Sequence, residues 1–150
     1  MIFITVGTSL SFHRLVKHID SMAEMIDEEI IMQIGDSTYL PERCEYQRYY
    51  PCISEFIDRA RLVISHGGFS CIEIIKQRKP LIIVPRQKKY HEHCNDHQVE
   101  FAQLLQLRFG VPCFADEQEL KSEFVASYDH IPDMNEYNLK MFRENLRKIF

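Results

Sequence analysis

The sequence predicts an α/β fold with a doubly wound, mainly parallel sheet. Three observations lead to it. Short apolar, β-branched runs alternate with amphipathic stretches from one end of the chain to the other. Each run is a few residues long and is bounded by Gly, Pro, Ser or Asp, as buried strands are. The stretches between runs are long enough for the crossover helices that parallel strands require.

The elements follow in order. Residues 2–6 read as a buried strand closed by Gly7-Thr8-Ser9. Phe12, Leu15, Val16, Ile19, Met22, Ala23 and Ile26 then share one face of a helix. Ile30-Ile31-Met32-Gln33-Ile34 is a second strand closed by Gly35-Asp36, and Cys44 to Tyr50 holds a short third one. Ser54 opens a short helix carrying Phe56, Ile57 and Ala60. Leu62-Val63-Ile64-Ser65 is a strand that runs straight into His66-Gly67-Gly68 and a helix over about 69–77. Pro80 stops that helix, and Leu81-Ile82-Ile83-Val84 is the next strand, ended by Pro85. A long helix over roughly 92–108 stops at Gly110, and Val111 to Ala115 makes a last short strand. Asp116 with Glu119 has the spacing of a capping box for a following helix. From Asn135 onward, Leu139, Phe142, Leu146 and Ile149 form one stripe of a final helix, expected to pack on the core. The expectation is one Rossmann-like domain over residues 1–150, with six strands and no repeat or linker.

Composition narrows the function. Hydrophobic residues make up 45% and charged residues 27%, as in globular proteins. The formal net charge of -4 argues against a broad nucleic-acid surface, although Arg86, Lys88 and Lys89 form a local basic cluster. The opening residues lack a basic start and a cleavage site, and no apolar run nears the roughly 20 residues that a bilayer demands. Five scattered cysteines without a C-x-x-C pair fit a reducing cytoplasm rather than a disulfide framework.

Doubly wound sheets bind ligands beyond the carboxyl ends of their strands, where strand order reverses. That directs attention to the loops after strands one, four and five. In His66-Gly67-Gly68-Phe69-Ser70-Cys71-Ile72-Glu73, two glycines open a helix, so backbone N–H groups and the helix dipole favour a phosphate. Glu73 lies far enough along the helix to accept from two ribose hydroxyls; the other reading is a tight turn followed by a solvent-facing glutamate. Gly7-Thr8-Ser9 offers hydroxyls and N–H groups suited to a diphosphate, or else Ser9 or Ser11 caps the helix. Neither a G-x-G-x-x-G fingerprint nor a Walker lysine occurs, which counts against dinucleotide and P-loop readings. The stretch from Pro85 to Gln98 joins a basic loop to a polar helix start. His93 and His97 lie four apart beside Cys94, but zinc needs three or four converging ligands, so no metal site is expected. No residue sits in a nucleophile-elbow or cysteine-protease context.

Taken together, these segments resemble the C-terminal half of family 28 glycosyltransferases, enzymes of the two-domain GT-B architecture, and above all their small stand-alone subunits. The matching pieces are Phe3-Ile4-Thr5-Val6-Gly7-Thr8, Gln33-Ile34-Gly35, Leu62-Val63-Ile64-Ser65-His66-Gly67-Gly68, Glu73, Pro80-Leu81-Ile82-Ile83-Val84-Pro85-Arg86, and Asn95-Asp96-His97-Gln98-Val99-Glu100-Phe101-Ala102. They run in family order across about residues 3–102. The resemblance implies that Gly67 and Gly68, with Gly7 and Thr8, face the diphosphate of a UDP-sugar and that Glu73 holds the ribose. Asn95, Asp96, His97 and Gln98 would face the sugar and its leaving phosphate, with Arg86 nearby. Ser9, His66 and Ser70, in the same loops, complete the implied donor-binding set. The UDP-sugar is a substrate, and neither a cofactor nor a metal is implied. The half that holds the acceptor and the general base is expected on a membrane-anchored partner. That partner would present a lipid-linked sugar acceptor and dock this chain at the cytoplasmic membrane face. The competing expectation is a non-catalytic activator or scaffold subunit, against which the retained glycines and Glu73 count.

Overall fold

The computed structural model describes residues 1–150. Strands β1 (Ile2–Thr5), β2 (Ile30–Gln33), β3 (Glu45–Gln47), β4 (Leu62–Ser65) and β5 (Leu81–Ile83) form one sheet in the order β3-β2-β1-β4-β5. Every pairing is parallel. The helices are α1 (His13–Met22), α2 (Ser54–Arg59), α3 (Ser70–Lys76), α4 (His97–Phe109), α5 (Ser122–Ser127) and α6 (Glu136–Ile149).

Side chains alternate across a strand, and here both faces are apolar, so each needs a covering layer. Ile2, Ile4, Met32, Ile64 and Ile82 point to one face, where α1 and α5 bury Leu15, Val16, Ile19 and Val125 against them. Phe3, Ile31, Val63, Leu81 and Ile83 point to the other, beneath Ile57 of α2, Ile74 of α3, Phe101 and Leu105 of α4 and Phe142 of α6. The expected stripe of α6 faces inward: Phe142 is buried, and Leu139, Leu146 and Ile149 pack partly buried on the same cluster. Helix α6 lies along α4, and the Arg108 guanidinium donates to Asn145 Oδ1 from two nitrogens at 3.1 and 2.8 Å. No helix is long and apolar enough to cross a membrane.

Four expectations change. The sixth strand is absent; residues 111–115 contribute only a single parallel bridge between Ile83 and Cys113. Pro112 accepts from Ile83 N at 2.9 Å but has no N–H of its own, so the ladder ends after Phe114 N donates to Ile83 O at 2.8 Å. The long helix starts at His97 rather than near 92, because polar side chains capture the backbone before it. His93 Nδ1 accepts from Asn95 N, and Asn95 Oδ1 from His97 N, at 3.3 and 3.1 Å. Asp116 accepts from Gln118 N and caps only the 3₁₀ turn Glu117–Glu119; α5 begins later, without a side-chain cap. The first helix stops at Met22 and tightens into a 3₁₀ turn over Ala23–Met25.

Strand order reverses between β1 and β4, so the crevice at their carboxyl ends lies between the β1–α1 and β4–α3 loops.

Candidate functional site

The floor of this crevice is His66, which is 7% exposed. Its Nδ1 lies 3.2 Å from Thr5 O. A carbonyl only accepts, so Nδ1 carries the proton and Nε2 keeps its lone pair. Burial, reinforced by the nearby Arg86 charge, lowers the imidazole pKa to about 4, so the ring is neutral at physiological pH.

Glycine is required at two positions against that ring. A Cβ on Gly68 would stand 2.4 Å from His66 Nε2, and one on Gly7 would stand 3.0 Å from Cε1 and Nε2. Gly7 and Gly67 also have φ of 76° and 85°, a region costly for residues with a Cβ. The glycines thus make room first for the histidine, and through it for close contact between the two loops.

Both loops hold backbone donors that pair with no other backbone group, although the Gly67 N–H approaches the Cys71 sulfur. The N–H groups of Thr8, Ser9, Leu10 and Ser11 donate to no backbone acceptor, nor do those of Gly67, Gly68, Phe69 and Ser70. The alternative in which Ser9 or Ser11 caps α1 does not hold: Phe12 occupies the cap position, with no side-chain bond. Thr8 and Ser9 are exposed, whereas the Ser70 hydroxyl is buried without a partner.

Helix α4 builds the third wall. A cavity of about 270 Å³ is lined by Gly67, Gly68 and Phe69 from one side and by His93, Asn95, His97, Gln98 and Phe101 from the other. Phe150 closes its edge, with ring centroids 5.3 Å from Phe69 and 5.6 Å from His97. Gln98 Oε1 is buried and has no hydrogen-bond partner, so the cavity holds an unused acceptor.

Some residues of the expected set lie outside this cavity. Glu73 is exposed on α3 and accepts from Gln77 Nε2 at 3.3 Å. Asp96 accepts from Lys88 N at 2.8 Å and so closes the loop that precedes α4. Arg86 is 3% exposed and turns inward, donating from Nη2 to Val6 O and Leu10 O. Its pKa is drawn down by burial to about 10. Gly7, against the His66 ring, and Thr8 and Ser9 after it do not line the cavity.

Sequence reasoning missed the aromatic lining and a buried ion cluster. Phe69 beside the glycines was a visible signal, but nothing local marked Phe150. Arg14 lies 78 positions from Glu92 and 103 from Glu117, yet holds both. Its Nε and Nη2 reach the two Glu92 oxygens at 2.8 and 3.0 Å, and its guanidinium lies 4.5 Å from the Tyr90 ring centroid. Burial works against the charge on Glu117, but the hydrogen bond from Arg14 holds its carboxyl below the usual range.

The arrangement therefore offers two sets of backbone donors around a neutral histidine, beside a polar and aromatic cavity. Backbone donors of this kind suit phosphate oxygens. The chain is 36% identical over 118 residues to the UDP-N-acetylglucosamine transferase subunit ALG13 of Homo sapiens, and 32% over 117 residues to the protein of that name in Mus musculus. These alignments take in 69% of this chain and 10% of each relative, so the chain spans about a tenth of the curated relatives it matches. Among solved structures, the glycotransferase of kitacinnamycin superposes with a TM-score of 0.62 at 16% identity, over 99% of this chain and 39% of that one. UDP-glucose:anthocyanidin 3-O-glucosyltransferase in complex with UDP gives 0.62 at 17% identity, over 99% and 34%. At such identities the likeness is one of fold. Residues 1–148 match the glycosyltransferase family 28 C-terminal domain, and the chain belongs to that family.

Proposed function

We propose that this chain is the donor-binding, catalytic subunit of a split inverting UDP-sugar glycosyltransferase of cell-surface polysaccharide or lipid-linked glycan synthesis. The observation that carries the reading is the pair of loops joined through His66, with the N–H groups of Thr8–Ser11 and Gly67–Ser70 unbonded to other backbone groups. Glycosyl transfer from UDP needs the departing diphosphate stabilised while the anomeric carbon becomes oxocarbenium-like, and fixed backbone donors supply that stabilisation. In this reading Gly7, Thr8, Ser9, Gly67, Gly68 and Ser70 face the diphosphate over His66. Asn95, His97 and Gln98 face the sugar side, and Gln98 Oε1 is an acceptor for a sugar hydroxyl. Glu73 takes the ribose by exchanging its bond from Gln77. Asp96 acts through the loop it closes.

The acceptor and the general base belong to a second, membrane-anchored subunit, which presents a lipid-linked sugar and holds this chain at the cytoplasmic membrane face. The relatives named as transferase subunits support this division of labour. The test is isothermal titration with UDP. Binding is expected, with affinity falling at least about tenfold in Glu73→Ala, the loss of charge-assisted bonds to the ribose. UDP affinity unchanged in both Glu73→Ala and Gly68→Val would refute the site.

A further inference from the structure

The β1–α1 loop has no regular structure, yet its two ends are held at one point. Arg86, three residues beyond β5, sends Nη2 to the carbonyls of both Val6 and Leu10, and so spans Gly7, Thr8 and Ser9. The residue after the loop is clamped as well. The ring centroid of Phe12, fully buried, lies 5.4 Å from the Arg86 guanidinium carbon and 5.1 Å from that of Arg14. A trans peptide directs the C=O of one residue and the N–H of the next to opposite sides. With Leu10 O drawn inward onto Arg86, Ser11 N–H points away from it. The carboxylate that faces Arg86, Glu92, is already taken by two Arg14 nitrogens and by Gln87 N. Arg86 Nε is buried without an acceptor.

We infer that Arg86 is a positioning residue: it acts on the donor diphosphate through the Val6 and Leu10 carbonyls, setting the β1–α1 loop so that its N–H groups face the anion. The consequence for binding rests on the nucleotide-sugar reading; the brace itself does not. A guanidinium wedged between two carbonyls and an aromatic ring replaces the secondary structure that the loop lacks, and its charge polarises the peptides it holds.

The test compares the parent chain with Arg86→Met and Arg86→Lys. Backbone ¹⁵N relaxation, without ligand, should give order parameters near about 0.85 for Thr8–Ser11 in the parent and below about 0.6 in the Met variant, with β4 and β5 unchanged. The Met variant should also bind UDP about tenfold more weakly, as loss of a charge-assisted anchor predicts. Lys keeps a charged donor within reach of the carbonyls and should recover most of the loop order and most of the affinity. Loop order in the Met variant equal to that of the parent overturns the inference. If that variant does not fold, Arg86→Gln, neutral and too short to span both carbonyls, takes its place: loop order well below that of the parent and the Lys variant supports the brace, and parental order overturns it. A parent chain that binds no UDP sinks the nucleotide-sugar reading alone, because the relaxation measurement still judges the brace.

Discussion

His66 and Gly68 form a pair whose chemistry is set by contact. Because a Cβ on Gly68 would stand 2.4 Å from Nε2, Gly68→Ala must shift the ring or the loop, straining the ring's bond to Thr5 O. We expect a loss of about 1–3 kcal/mol in urea unfolding, typical of overpacking. In a His66→Ala background the same change should cost under about 1 kcal/mol, since residues in contact couple. Additive losses would show that the glycine answers to something other than the ring. The histidine also carries a pH signature. Its folded pKa of about 4 lies below the ordinary 6.5, so between those values the unfolded chain binds the extra proton. Stability from this group is therefore complete above pH 6.5 and is lost as pH falls toward 4. The loss amounts to about 3 kcal/mol, because each tenfold drop in proton affinity on folding is worth about 1.36 kcal/mol. Unfolding at pH 7.5 and pH 4.5 should differ less in His66→Gln than in the parent by about that amount, and equal differences would contradict the buried neutral state.

The segment between β5 and α4 contains one 3₁₀ turn, Lys88–Tyr90, and long-range ion pairs tie it to the rest of the fold. Arg14 on α1 grips Glu92 in that segment and Glu117 in the 3₁₀ turn beyond α4, and it also donates to Pro85 O at 3.3 Å. All three charged side chains are at least 88% covered, the exposures being 12, 9 and 12%. Removing the cation alone leaves two covered carboxylates unpaired, so Arg14→Met should destabilise by about 3 kcal/mol in chemical denaturation. Arg14→Lys should restore only part, since an ammonium lacks the planar fork that engages Glu92 twice. A neutral Arg14→Met would mean that solvent already screens the cluster. The pattern of charges in the sequence carried no hint of this, for α1 reads as an ordinary amphipathic helix with Arg14 on its polar side. The same blindness explains the misplaced start of α4: helical spacing counts apolar positions, whereas Asp96, Asn95 and His93 spend their side chains on nearby backbone N–H groups.

Across the whole molecule, both sheet faces are covered by helices, and the candidate site opens at one edge, where the strands end. In the proposed reading, the crevice displays donors for one substrate only, and transfer therefore waits for a second subunit that brings the acceptor. Purified alone, the chain should bind UDP but give little or no sugar transfer, and co-expression with the membrane-anchored partner should restore turnover, followed as UDP release. Robust turnover by the isolated chain would contradict the split enzyme. The sequence alone determined five of the six expected strands, the order of the helices and the two glycine loops, because burial periodicity and turn chemistry are local properties that a few neighbouring residues express. It also placed Gly67, Gly68, Asn95, His97 and Gln98 in one expected site, and the fold brings those five around one cavity. Only the tertiary structure decided that Gly68 answers to His66, that Arg86 faces inward and that Phe150 meets Phe69. Those relations depend on which chain segments the parallel sheet brings side by side, and contact between segments up to 103 residues apart leaves no periodic mark in either one.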